Sequence, residues 1–342
     1  MDVLSQWMTT ATGRIHSLPI VVLMPHSRCN CRCVMCDIWK SNHEKRELSE
    51  DTLASHLEDF KKLGLREVTL SGGEALLHSN LWRFCELLES IGVKITLLST
   101  GLTIRHHAEA IIRHCCELIV SLDGSPAVHN AIRNIPNAFE KLDEGVKALK
   151  AINADFRVKG RCVLQKHNFH DFANIVHAAH SIGLDQLSFL PADVSSTAFN
   201  RAEGWDDQKI SEVALSMMEA EEFEKILRSS FVEFESDYRQ KFIAENPQQM
   251  IQFPQYYRAM NGHSTFPRKK CNAPWVSAVV ESNGDVLPCF FHPPYGNIHK
   301  SPFKQIINGP AAISFRRKLN VNKNSICEKC VCSLYRSPWR IK

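Results

Sequence analysis

The chain has 342 residues, 44% of them apolar and 23% charged, with a formal net charge of +4, too small to argue for a nucleic-acid partner. No apolar stretch approaches the roughly eighteen residues of a membrane span. The start, MDVLSQWMTTATGRIHS, lacks the basic, apolar and small-residue blocks of a secretory signal, so a cytoplasmic protein is expected.

Residues 18–24 are an apolar run that predicts the first strand. A helix is predicted from Glu50, with Leu53, Leu57, Phe60 and Leu63 on one stripe and Gly64 placed to stop it. Further strands are predicted at 66–70, 93–98, 118–122, 157–164 and 186–190, with a helix at 78–91 and amphipathic stretches between the rest. Six βα units in succession imply an α/β fold, a parallel sheet with helices outside it, either open or curled into a partial barrel. Ligands of such folds gather in the loops at the C-terminal strand ends. Residues 191–262 break this rhythm; 203–241 is charged and helical, a linker or a cap over the barrel mouth. Asn283-Gly284, between predicted strands at 275–281 and 285–290, is a two-residue hairpin signal. A helix over 302–319 and a cysteine-rich tail follow. The expected division is an extension at 1–17, a core at 18–190, a helical linker or cap at 191–265, and a small α+β domain at 266–342.

Thirteen cysteines concentrate toward the two ends, as metal sites produce and a disulfide framework usually does not. Cys29, Cys33 and Cys36 stand as C-x3-C-x2-C directly after the first strand. Three thiolates so spaced can hold three irons of a [4Fe–4S] cubane and leave the fourth open to a small molecule. A structural zinc knuckle, which wants four closed ligands, is the alternative, and Cys31 inside the motif complicates either count. On the fifth strand Arg157, Lys159 and Arg161 share one face, where a parallel strand is normally apolar. Three basic residues in register imply an anionic ligand, with Arg161 nearest the functional end; Arg157 and Lys159 could instead lie at the exposed strand entrance.

These motifs together resemble a radical SAM enzyme. The resemblance covers about residues 18–190 and rests on the cysteine triad after strand one, Ser71-Gly72-Gly73-Glu74 after strand two, and Ser121-Leu122-Asp123-Gly124 after strand four. It implies a partial (β/α)6 barrel and a [4Fe–4S] cluster whose open iron chelates S-adenosylmethionine. Reductive cleavage then yields a 5′-deoxyadenosyl radical that removes a hydrogen atom from the substrate. Cys29, Cys33 and Cys36 become the catalytic cluster ligands. Met35, Gly72, Gly73, Glu74, Ser99, Ser121, Asp123 and Arg161 become the expected SAM contacts. Gly72 and Gly73 would let backbone approach the methionine portion, and Glu74 would pair its ammonium. Met35 stands where the family usually has an aromatic residue, and Ser99-Thr100-Gly101 where it often has Thr-Asn-Gly. Arg133 resembles a recurrent family position near substrate or SAM, with a solvated loop arginine as the alternative.

Cys271, Cys289, Cys327, Cys330 and Cys332 form the second set. It resembles the shortened twitch module of the SPASM/twitch branch, which implies one auxiliary [4Fe–4S] cluster on Cys271, Cys289, Cys327 and Cys330. Cys332 is a possible substitute for Cys330 or a thiol near substrate, and a four-cysteine zinc ribbon is the alternative. The function implied is dehydrogenation or epimerisation of a small organic substrate, with flavodoxin or ferredoxin as electron donor. A maturase acting on a ribosomally made peptide is the first rival; only 28 residues precede Cys29, fewer than the leader-binding domain such enzymes often carry there would need, although that domain can be a separate protein. A relative of molybdenum-cofactor enzymes and a non-enzymatic iron–sulfur or zinc module are the others.

Overall fold

The computed structural model describes residues 8–9 and 11–337, so the ends of the expected extension and C-terminal domain, 1–7, 10 and 338–342, lie outside the described residues. The core is six parallel strands, β1 (Ile20–Leu23), β2 (Glu67–Leu70), β3 (Lys94–Ser99), β4 (Glu117–Ser121), β5 (Val158–Leu164) and β6 (Gln186–Pro191). Each pairs with its sequence neighbour, so the strand order runs from 6 to 1 without a switch point. Helices cover the outer face, and burial alternates along the strands. Leu118 and Val120 of β4 are fully buried, whereas Ile119 and Ser121 face the lumen. This is a partial barrel of the α/β class, and among the described residues no helix is long and apolar enough to cross a membrane.

The helix Glu50–Lys62 starts where Ser49 Oγ accepts from Thr52 N–H and ends at Gly64, whose φ of +66° a side chain would resist. The helix predicted at 78–91 is shorter, and a separate turn precedes it. Residues 75–77 form a 3-10 turn and Leu81–Glu89 the helix. His78 and Ser79 between them are anchored sideways to Leu48 and Glu47, which directs their backbone away from helix. The helix expected over 302–319 is two, Phe303–Ile307 and Pro310–Lys318. Pro310 has no N–H to continue the first helix, and the Asn308 side chain is bonded both ways to the Ile15 backbone.

The expected cap is corrected in part. Its longest helix, Met217–Glu233, buries Phe223 and Leu227 and packs beside Phe172–Ser181 outside the sheet, not over the mouth. Tyr257 Oη donates to Leu164 O and accepts from Ala192 N–H, which ties helix Gln252–Met260 to the ends of β5 and β6. Residues 242–244 pair with Leu187 and cover the β6 edge. Only the strap from Asp193 to Trp205 reaches across to the cysteine loop.

The cysteine-rich region holds a feature that periodicity did not reveal. Its hairpin strands β7 (Ser277–Val280) and β8 (Asp285–Leu287) continue the core sheet, with β7 parallel to β1 in the register Ile20↔Ser277. A short β9 (Gly296–Asn297) ends a nine-stranded sheet.

Candidate active site

The cysteine loop follows β1 and is braced on several sides. The Asn42 side chain bonds both the N–H and the C=O of Cys29, at 2.9 Å each. Arg32 and Val34 N–H donate to Arg133 O and Ile132 O, hanging the loop on the end of helix Pro126–Arg133. Cys31 and Cys33 are buried, and Cys29 and Cys36 partly so. Burial pushes the Cys36 thiol up to about 11, and Cys33 lies well above the ordinary value, first through its hydrogen bond to Cys31 and then through burial. Arg133 Nη1 already points at Cys33 Sγ, 3.5 Å away. Among the described residues no three His, Cys, Asp or Glu side chains gather tightly enough for a single metal ion. A cubane places its thiolates on separate irons and requires no such convergence.

Gly72 and Gly73 have a structural reason within the protein itself. A Cβ on Gly73 would lie 2.2 Å from Arg28 O, and Gly72 holds φ +111°, so the turn is glycine because the cysteine loop rests on it. Glu74 is fully buried behind it. One carboxylate oxygen accepts from Leu76 N–H; the other accepts from Ser99 Oγ, Thr100 N–H and Thr100 Oγ1 at 2.6–3.0 Å. Burial raises the Glu74 pKa while these bonds oppose the rise. Glu74 and Ser99 thus brace the loops after β2 and β3, and Thr100 links this brace to Asn30 of the cysteine loop. One end of the Asn30 amide stays buried and unpaired, a polar group that a bound amino acid or nucleoside would satisfy.

Asp123, an expected SAM contact two residues beyond the last lumen-facing position of β4, does not face the lumen. The chain turns after Ser121, and Asp123 is fully buried, ion-paired with Arg133 and accepting from Val163 N–H at 2.9 Å. Burial works against the Arg133 charge, but Asp123 and then Cys33 and Cys31 outweigh it and raise its pKa. Arg133 is therefore a buried partner of the cysteine loop, not a solvated arginine. Ser121 and Arg161 are direct neighbours across β4 and β5 on the lumen side. Arg157 and Lys159 are both paired with Glu117, at 3.8 and 2.8 Å, which removes them as ligand contacts. Arg161 donates to Ser188 Oγ at 3.4 Å and meets no carboxylate within ion-pair distance among the described residues.

The strap supplies residues that sequence reasoning missed. Arg201 is buried, paired with Asp193 at 3.1 Å, and donates to Met35 O at 3.1 Å. Its guanidinium lies 3.8 Å from the Trp205 ring centroid, and Trp205 Nε1 donates to Asp37 Oδ2 at 2.7 Å. Met35 and Asp37 flank Cys36, so one clamp grips both sides of the third cysteine; the Met35 side chain itself packs into the core. No spacing in the sequence connects residues so far apart.

Cys271, Cys289, Cys327, Cys330 and Cys332 come together on one wall of a cavity of about 370 Å³. The other wall is the lumen face of the sheet, including Val22, Thr69, Leu98, Ile119 and Arg161. Burial pushes Cys289 up to about 12 and Cys327 up to about 11; it also raises Cys332, against the pull of Arg161. Two further groups face these thiols. Lys269 Nζ is buried without a hydrogen-bond partner among the described residues. His292 Nε2 lies 3.3 Å from Cys327 Sγ. Cys289-x2-His292 was the available sequence signal for the latter.

Comparison with known proteins agrees with this arrangement. A profile of the Radical SAM superfamily matches residues 23–179, and one of an iron–sulfur cluster-binding domain, SPASM, matches residues 271–331. The AdoMet-dependent heme synthase of Methanosarcina barkeri is 25% identical over 328 residues, 89% of this chain and 87% of that protein. The antilisterial bacteriocin subtilosin biosynthesis protein AlbA of Bacillus subtilis is 23% identical over 301 residues, 83% of this chain and 58% of AlbA. Streptococcus suis SuiB, solved with its precursor peptide SuiA, superposes with a TM-score of 0.67 at 14% identity, over 96% of this chain and 74% of SuiB, a likeness of fold.

Proposed function

This chain is a radical SAM enzyme with a SPASM-type iron–sulfur domain after its partial barrel, and from that premise we propose that it oxidises a small organic substrate held in the lumen. Cys29, Cys33 and Cys36 hold the SAM-binding cluster; Cys271, Cys289, Cys327 and Cys330 hold one auxiliary cluster. When bound, the first cluster and SAM supply a hydrogen-abstracting 5′-deoxyadenosyl radical, and the auxiliary cluster supplies one-electron redox capacity. The protein's own part is positional. Arg133 and Asn42 orient the cysteine loop. Glu74, Ser99 and the Asn30 amide form the polar floor on which SAM rests. Arg161, with Ser121 beside it, orients an anionic part of the substrate.

The observation that carries this reading is the shared cavity, in which the auxiliary cysteines and the lumen face of the barrel line the same 370 Å³. Dehydrogenation follows more naturally than epimerisation, because a redox centre in the substrate cavity serves a net oxidation. Anaerobic reconstitution tests the reading: about eight irons per chain are expected from two cubanes, with 5′-deoxyadenosine formed on adding SAM and dithionite. About four irons, or zinc in the C-terminal site, would refute it.

A further inference from the structure

We propose that His292 sets the redox poise of the auxiliary centre by donating a hydrogen bond from Nε2 to the Cys327 thiolate. This rests on the reading of Cys271, Cys289, Cys327 and Cys330 as its ligands. The ring is 4% exposed, lies 3.3 Å from Cys327 Sγ, and is held edge-on against Phe315, with centroids 4.9 Å apart. No carboxylate lies within ion-pair distance of it among the described residues, and Nε2 can carry an N–H whether the ring is neutral or charged. A neutral ring carries one N–H, and the thiolate is the acceptor placed to receive it.

Donor, not ligand, is the role the geometry assigns. A nitrogen at hydrogen-bond distance from one sulfur sits too close to it to serve a separate iron of the same cubane, and cysteines already outnumber the four irons. Hydrogen bonds to the sulfurs stabilise the more electron-rich reduced state and raise the potential. The centre facing the lumen is thereby biased toward accepting an electron.

The test is an EPR-monitored redox titration of the reconstituted full-length protein, His292→Leu and His292→Gln. In His292→Leu the one-electron reduction equilibrium of the auxiliary centre should fall about tenfold, close to 59 mV, while the SAM-binding cluster keeps its midpoint. His292→Gln, which retains an N–H donor, should restore most of the shift. An unchanged midpoint in His292→Leu overturns the proposal. Should that variant assemble no auxiliary centre, pulsed EPR of the unsubstituted protein in H2O and D2O decides. A weakly coupled exchangeable proton supports the donor role; its absence, or a directly bonded nitrogen, overturns it. Unsubstituted protein that loads only about four irons would instead remove the auxiliary-centre reading, and the role of His292 with it.

Discussion

The two cysteine sites are built in opposite ways. The N-terminal one is a single short loop, Cys29 to Cys36, gripped from outside by Asn42, Arg133, the Gly73–Glu74 turn and the Arg201–Trp205 clamp. The C-terminal one is gathered from a segment before β7, a hairpin end and a tail, and its distinctive neighbours, His292 and Lys269, face the thiols from inside. The first arrangement holds thiols rigidly where an iron must stay open to a small molecule. The second gathers thiols around a cavity, with polar side chains turned toward them. Rigidity is supplied by second-layer contacts in one site and by the assembly of distant segments in the other.

That contrast can be broken by substitution. The largest effect is expected from Cys33→Ala, which removes one of three thiolates and should abolish 5′-deoxyadenosine formation; retained turnover, measured by chromatography of quenched reactions, would refute the ligand assignment. Cys327→Ala should lose the auxiliary EPR signal and substrate oxidation yet keep uncoupled SAM cleavage. Equal loss of both activities would mean that the tail is purely structural. Arg201→Met leaves Asp193 as an unpaired buried charge and should cost about 3–5 kcal/mol of stability, read as a lowered denaturation midpoint, with cluster loss from the N-terminal site before the C-terminal one. Gly73→Ala forces a methyl group against Arg28 O and should cost about 1–3 kcal/mol. If it instead leaves stability intact and only weakens SAM binding, the glycine serves the ligand and not the loop.

The N-terminal site was legible because its ligands are contiguous and its supporting motifs each follow a strand. The six strands were found in order, each within a few residues of its observed bounds. Glu74 and Ser99 were expected as separate SAM contacts, but their bond to each other depends on two loops meeting across β2 and β3. Asp123 shows where strand parity stops: alternation ends with the strand, and the next turn sent the carboxylate beneath Arg133. The basic row on β5 shows the same limit, because Glu117, which neutralises two of its members, sits on the neighbouring strand.

What the sequence determined by itself was local: apolar periodicity, glycine stops, and thiol spacings short enough for one turn of chain to impose. Tertiary structure alone decided that β7 joins β1, that the strap clamps Cys36 from its two flanking residues, and that His292 meets Cys327. Each of these couples residues distant along the chain. Such contacts form because burial leaves polar groups needing partners, and which partners lie within reach is a property of the packed fold.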